Sequence, residues 1–129
     1  LDGSLELLGP VPNAKLPALL ERASLVCLPS RGEPFGMTVL EAMACGRPVV
    51  AVDAGGPRYL LDGAATGQLV PPNDVGALAE ALVGLLRDPA RLAELGRRNR
   101  ERVEATFSLE RVVDQLEGVY RDAVAGPVP

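Results

Sequence analysis

Two short apolar runs, at residues 24–28 and 48–52, constrain the fold most strongly. They are apolar at nearly every position rather than at alternate positions, and Pro29 ends the first while Gly46 precedes the second. Strands of this kind are buried on both faces, which is typical of a parallel sheet covered by helices. Residues 36–45, between them, suit a helix packed on that sheet. The pattern predicts an α/β fold, mostly parallel, with right-handed crossovers.

The other elements of the first half are predicted from turn residues and helical spacing. Residues 5–8 form an apolar run that Gly9 and Pro10 end, which predicts a strand. Residues 16–23 have helical spacing and a proline near the start, where a missing N–H costs little. Residues 68–70 predict a last short strand.

The second half is predicted to be a run of helices. Asn73 is expected to cap the first, whose apolar positions follow the i, i+3, i+4, i+7 rule. A second is expected over residues 88–105, and Ser108 is expected to cap a third that reaches about residue 124. Residues 1–124 are therefore predicted to form one domain, and residues 125–129 a frayed tail.

Composition excludes several classes of function. Histidine is absent from the 129 residues, which removes Ser-His and Cys-His nucleophile pairs and histidine-ligated zinc. The net charge of −4 and the lack of tryptophan argue against nucleic acid as a partner, because binding it requires clustered cations or stacking rings.

The cysteines and the apolar runs suggest a reducing compartment. Cys27 and Cys45 lie inside apolar segments and are predicted to be buried free thiols. No apolar run approaches the ~20 residues that span a bilayer, and nothing resembles a signal peptide. We therefore expect a cytoplasmic location, and since the chain starts at Leu1 we expect it to be part of a longer protein.

The segment from Pro29 to Gly46 carries the chemistry. A buried strand ends, a loop follows, and a helix begins near Gly36. In open α/β sheets ligands bind at the carboxyl ends of the strands, where helix N-termini present free N–H groups. The amides of Gly36, Met37 and Thr38 would form an anion site that suits a diphosphate.

Two glutamates flank this predicted anion site. Glu41 lies five residues beyond Gly36, roughly 7.5 Å along a helix, which is about the distance from a diphosphate to its ribose. Since a carboxylate only accepts hydrogen bonds, Glu41 would face ribose hydroxyls and Glu33 a transferred sugar. The structural alternative is a buried helix in which Glu33 is an ordinary loop residue and Glu41 either extends to solvent or pairs with Arg47.

The motif around these glutamates resembles a known family. Residues 29–50 read Pro-Ser-x-x-Glu-Pro-Phe-Gly-Met-Thr-x-x-Glu-Ala-Met-Ala-x-Gly-x-Pro-Val-Val, with seven residues between Glu33 and Glu41. This is similar to the E-x7-E motif of retaining glycosyltransferases of the GT-B fold, family 4 type. The similarity continues through residues 49–56, 66–74 and 85–89 and at Phe107-Ser108.

The resemblance implies a fold and an activity. The fold would be the C-terminal half of GT-B, a Rossmann-like parallel sheet flanked by helices and ending in a run of helices. The activity would be sugar transfer from a nucleotide-diphosphate sugar with retention of configuration. No metal or other cofactor is expected, and no Asp-x-Asp pair is present. The partners implied are the nucleotide sugar and a missing N-terminal acceptor domain. Any peripheral membrane association would be made only through that domain.

The resemblance also implies roles for individual residues. The amides of Phe35, Gly36, Met37 and Thr38 would hold the diphosphate and part of the sugar. Glu41 would bind the ribose hydroxyls, and Glu33 would be the catalytic contact to the donor sugar.

The chain departs from the family at two places. Tyr59 stands where members usually carry a glutamate three residues after a Gly-Gly pair. The family's basic residues that grip the diphosphate lie upstream of this chain, and Arg31, Arg47 or Arg58 would have to substitute.

Other functions fit the sequence less well. A non-catalytic nucleotide-sugar-binding or scaffold relative remains open, since the isolated segment is expected to be inactive. The arginines at 97–102 alternate with glutamates at i, i+4 spacing, which favours a solvated helix over a nucleic-acid surface. A dinucleotide oxidoreductase is disfavoured because no Gly-x-Gly-x-x-Gly follows a strand. An epimerase on the same fold is disfavoured by the Pro-Phe-Gly-Met-Thr context.

Overall fold

A computed structural model describes residues 4–61 and 68–126 of the chain. Three parallel strands in the order β1-β2-β3 form the sheet. The strands are β1 (Val26–Leu28), β2 (Val49–Val52) and β3 (Gln68–Val70). The helices are α1 (Leu16–Glu21), preceded by a 3-10 turn at Asn13–Lys15, α2 (Met37–Ala44), α3 (Gly56–Leu61), α4 (Val75–Leu86), α5 (Pro89–Thr106) and α6 (Leu109–Ala125).

Strand β2 is the centre of the molecule and is buried at all four positions. Its alternate residues enter two apolar clusters. Val49 and Ala51 pack with residues from α1, α2 and α3, whereas Val50 and Val52 pack with residues from β3, α4 and α5. The parallel α/β sheet with helices on both faces, followed by a run of helices, confirms the predicted fold class.

Strand β1 is the outer strand of the described sheet, and this corrects two expectations. Only β2 pairs with it, so it is half exposed rather than buried on both faces. Cys27 is exposed and Cys45 only half-buried, so the prediction of buried thiols is wrong, although both are free.

The strand predicted at residues 5–8 is not formed. No described strand lies alongside these residues to complete a ladder, and Leu7 is 88% exposed.

Side-chain caps set where the three helices of the second half of the chain begin. Asp74, not Asn73, caps α4 by accepting a hydrogen bond from the amide of Ala77 at 2.8 Å. Asn73 instead adopts a left-handed conformation, with φ 62°. Asp88 and Ser108 cap α5 and α6 as their positions in the sequence predict.

Helix α3 has no counterpart among the predicted elements. Its first two residues are Gly56 and Pro57, which obscure a helical pattern in a segment this short. Pro57 sits near the helix start, where its missing N–H is not needed. The motif at 66–74 lies partly outside the described residues, at 66 and 67.

Helix α5 fixes the carboxyl end of α2 through backbone contacts. A Cβ at Gly96 would lie 2.2 Å from the carbonyl oxygen of Gly46, so the two main chains touch. Buried Asn99 donates its side-chain N–H to the carbonyl oxygen of Arg47 at 2.6 Å. The turn that leads from α2 into β2 is thereby held against α5.

The outer surfaces of α5 and α6 differ in character. All three i, i+4 pairs expected on α5 are formed, Glu94–Arg98, Arg97–Glu101 and Arg100–Glu104. Helix α6 carries an apolar stripe whose six side chains are all exposed: Leu109, Val112, Val113, Leu116, Val119 and Tyr120. Within residues 4–61 and 68–126, no helix is long and apolar enough to cross a membrane.

Two helix glycines provide matched tests of this packing. Gly84→Ala in α4 meets open space, and we expect it to raise the free energy of unfolding by about 0.5–1 kcal/mol, since alanine is the better helix former. Gly96→Ala should lower it by about 1–3 kcal/mol because its Cβ would overlap Gly46. Urea denaturation of both variants checks this, and equal stabilities would contradict the contact.

Candidate functional site

The site begins where β1 ends and α2 starts, at the carboxyl edge of the sheet. Gly36 is the N-cap of α2 and has φ 96°, a conformation that L side chains rarely adopt. A side chain there would also meet Leu60 and Pro57 of α3, with a Cβ 3.4 Å from Leu60 Cδ1. These are ordinary van der Waals contacts, so glycine is required here for the left-handed conformation that turns the chain into the helix rather than for space.

The N-terminus of α2 is open to solvent. Phe35, Met37 and Thr38 are exposed, and their amides have no acceptor among the described residues. Amides in the first turn of a helix have no intrahelical partner and lie at the positive end of the helix dipole. Met37 and Thr38 lie in this first turn, whereas Phe35 precedes the N-cap; none of their three amides has a partner among the described residues.

The fourth donor, the amide of Gly36, is already in use. It donates to Glu33 Oε1 at 2.9 Å, so the glutamate three residues upstream lies over the helix terminus. A carboxylate is stabilised there by the same charge that would attract a phosphate. The sequence analysis missed this contact, although a carboxylate three residues before a helix-starting glycine is a signal that could have indicated it.

Glu41 lies on the partly exposed side of α2. Thr38, one turn earlier, is exposed, while Val39, Ala42 and Met43 are buried against the sheet. The Glu41 carboxylate is half-buried and has no hydrogen-bond or ion-pair partner among residues 4–61 and 68–126. Its acceptor capacity is therefore unused.

Arg47 does not neutralise Glu41. Its guanidinium donates to the carbonyl oxygens of Cys45 at 3.0 Å and Ala23 at 3.3 Å. The prediction that the two pair is therefore wrong, and Arg47 instead joins the end of α2 to the end of α1. The half-buried, unpaired Glu41 agrees with the other alternative, in which its carboxylate reaches solvent.

Arg58 is also engaged away from the predicted anion site. It forms a two-pronged ion pair with Asp53, which directly follows β2, at 2.6 and 2.9 Å. The hydrogen bond from Arg58 holds the pKa of the Asp53 carboxyl below its ordinary value. Of the three arginines considered as diphosphate ligands, only Arg31 has no partner among the described residues.

Tyr59, in the place of the family's glutamate, packs on the end of α5. Its ring meets Phe107 edge-on, with 5.8 Å between centroids, while Arg102 lies 5.6 Å from the centroid of the Phe107 ring. Arg102 also donates to the carbonyl oxygens of Tyr59 and Leu60, at the end of α3. The tyrosine thus joins α3 to the α5–α6 turn.

Within the part of the chain that the structure describes, no group of three or more histidine, cysteine, aspartate or glutamate side chains is arranged to hold a metal ion.

Fold and site together define an open α/β domain with an exposed helix N-terminus beside two carboxylates, Glu33 and Glu41. Residues 1–102 match the family described as "Glycosyl transferases group 1". The chain belongs to this family and has the fold of the C-terminal, nucleotide-sugar-binding half of GT-B glycosyltransferases.

Individual relatives agree with this assignment. D-inositol 3-phosphate glycosyltransferase of Mycobacterium avium (strain 104) is 40% identical over 124 residues, which cover 96% of this chain and 29% of that protein. Sucrose-phosphate synthase of Thermosynechococcus elongatus superimposes with a TM-score of 0.85 at 41% identity, over 92% of this chain and 30% of that one. Anabaena Alr3699/HepE, solved in complex with UDP-glucose, gives 0.78 at 29% identity, over 85% and 30%. The chain thus spans less than a third of the length of these relatives.

The Asp53–Arg58 pair can be tested by titration. Because folding lowers the pKa of Asp53, the pair stabilises the fold above the ordinary aspartate pKa, and this contribution is lost as the pH falls through the lowered value. We expect Arg58→Gln to raise the pKa of Asp53 in a carboxyl 13C NMR titration. The control is Arg87→Gln at the end of α4, which removes one positive charge away from Asp53 and should leave the Asp53 pKa unchanged. An Asp53 pKa that Arg58→Gln does not change would contradict the pairing.

Proposed function

We propose that this chain is the donor-binding domain of a retaining glycosyltransferase and binds a nucleotide-diphosphate sugar at the N-terminus of α2. The observation that carries the proposal is the open set of amides at Phe35, Met37 and Thr38, flanked by Glu33 at the helix terminus and Glu41 on the helix face. Family membership and the UDP and UDP-glucose complexes of a 29% identical relative support it.

Each group of the donor has a chemically matched partner in this proposal. The diphosphate accepts from the amides of Phe35, Met37 and Thr38, where the helix dipole favours negative charge. Glu41, whose carboxylate is unpaired, accepts from the vicinal ribose hydroxyls. Gly36 contributes by holding Glu33, whose second oxygen stays available for the donor sugar.

Transfer follows from stabilising the leaving group. As the bond from sugar to diphosphate breaks, negative charge grows on the phosphates, and amides already aimed at them stabilise it without rearranging. The sugar becomes cation-like at the same time, and the Glu33 carboxylate beside it stabilises that charge. Retention of configuration is part of the proposal because the family is a retaining one.

A second candidate is a non-catalytic nucleotide-sugar-binding domain. Tyr59 favours it, because a carboxylate that the family usually carries at this position is missing. We propose that the full-length protein has an N-terminal acceptor domain and is cytoplasmic. Any peripheral membrane contact would be made through that acceptor domain. Binding without turnover in that full-length protein would select the second candidate.

Donor binding is tested by calorimetric titration of the 129-residue chain with UDP, GDP, ADP and their sugars. We expect one nucleotide series to bind, and Glu41→Gln to weaken it about 10- to 100-fold, since a hydrogen bond to a charged group contributes roughly 1.5–3 kcal/mol. Glu80→Gln on α4 makes the same charge change away from the site and should bind as the wild type does. A folded chain that binds none of these ligands at millimolar concentration would overturn the proposal.

The role of Glu33 is tested by turnover in the full-length protein. Glu33→Gln keeps the size of the side chain but loses its charge, so UDP affinity should change by only a few-fold. The value of kcat should drop by about 100-fold or more, because charge stabilisation in the transition state is lost. Steady-state kinetics with Glu80→Gln as control measures this, and wild-type kcat in Glu33→Gln would refute the assignment.

A further inference from the structure

We propose, resting on the function proposed above, that Gly55 and Gly56 are positioning residues for Glu33. They form the turn between β2 and α3, and nothing in their chemistry can contact a sugar through a side chain. Their effect is exerted through the main chain of residues 33–35, which lies directly against this turn.

Gly56 makes the closer approach. Its amide donates to the carbonyl oxygen of Glu33 at 3.2 Å. A Cβ on Gly56 would lie 1.9 Å from the carbonyl oxygen of Phe35 and 2.3 Å from its Cα, distances that real Cβ atoms essentially never show. Because the opposing atoms are backbone, no side-chain rotation can relieve the overlap, so any larger residue would have to push the loop.

Gly55 contacts the same loop at the carbonyl group of Glu33. It adopts φ 60°, and a Cβ there would lie 2.2 Å from the carbonyl oxygen of Glu33. Glycine is thus needed for its left-handed conformation as well as for space. The two glycines together hold the main chain of Glu33 and Phe35 at backbone contact distance.

Glu33 is consequently fixed at two points. Its main-chain oxygen accepts from Gly56, and its side-chain Oε1 accepts from Gly36. A shift of the loop therefore changes the position of the carboxylate relative to the α2 terminus. Misplacing a reacting group by about 1 Å can cost 100-fold in rate, so a contact this close is enough to control the site.

The turn is better anchored than the loop it supports. Asp53, just before it, donates its amide to the carbonyl oxygen of Val70 at 2.8 Å and pairs with Arg58. Pro57 and Leu60, just after it, are fully buried. Pro34 and Phe35 in the loop are exposed, so a bulkier residue in the turn would displace the loop rather than the sheet.

The experiment compares Gly56→Ala with Gly96→Ala. Both place a Cβ into a backbone carbonyl, at 1.9 and 2.2 Å respectively, but Gly96 meets Gly46 at the opposite end of α2. In 15N NMR spectra, Gly56→Ala should move the Gly36 amide signal in the direction that Glu33→Gln moves it, because both disturb the bond to Oε1. Its UDP-glucose affinity should fall at least 10-fold, while Gly96→Ala should leave both readouts unchanged.

A folded Gly56→Ala chain with wild-type Gly36 amide shift and wild-type UDP-glucose affinity would overturn the proposal. If that variant does not fold, hydrogen exchange on the wild-type chain decides. UDP-glucose should slow hydrogen exchange of the Gly56 amide at least 10-fold. The Arg47 amide, which donates to the carbonyl oxygen of Ala42, is the control and should exchange at an unchanged rate. An unchanged exchange rate at Gly56 would contradict the positioning role. If the wild type binds no nucleotide sugar, the proposed function fails. The comparison of the Gly36 amide shift in Gly56→Ala and Glu33→Gln then still tests the positioning role.

Discussion

The arrangement of the site depends on direct backbone-to-backbone contact at the amino end of α2, and a separate contact of the same kind holds its carboxyl end. At its amino end the Gly55–Gly56 turn touches the main chain of residues 33–35, and at its carboxyl end Gly96 touches the main chain of Gly46. Such contacts are possible only where no Cβ intervenes. The amino end of α2, which carries the candidate site, is thus held by the Gly55–Gly56 turn, whereas α5 holds only its carboxyl end.

The electrostatics of the site follow from that exposed terminus rather than from basic side chains. Arg47 is bound to backbone carbonyls and Arg58 to Asp53, so neither offers a free guanidinium to a diphosphate. Amides provide positive potential without a side chain that must be ordered, and their orientation is set by the helix itself. A mildly acidic domain can therefore still present a local anion site.

Sequence patterns predicted the parts of the structure that local chemistry decides. The buried run of β2, the helix start at Asp88, the Ser108 cap and the position of Gly36 depend on neighbours a few residues away, and they were predicted correctly. The exposure of Cys27 depends on what lies beside β1, which no local pattern records. The hydrogen bond between Glu33 and Gly36 is local, but a motif whose residues are all expected to face a ligand does not indicate that two of them bond to each other.

That contact determines how a diphosphate would share the helix terminus. Without a donor, the Glu33 carboxylate already satisfies one amide and lies at the positive end of the dipole. A diphosphate bound to the neighbouring amides would bring further negative charge close to it, and two such anions repel unless a cation-like group lies between them. The sugar acquires that character as its bond to the diphosphate breaks. Glu33 would therefore oppose ground-state binding slightly and favour the transition state strongly, which is the difference in affinity that accelerates a reaction.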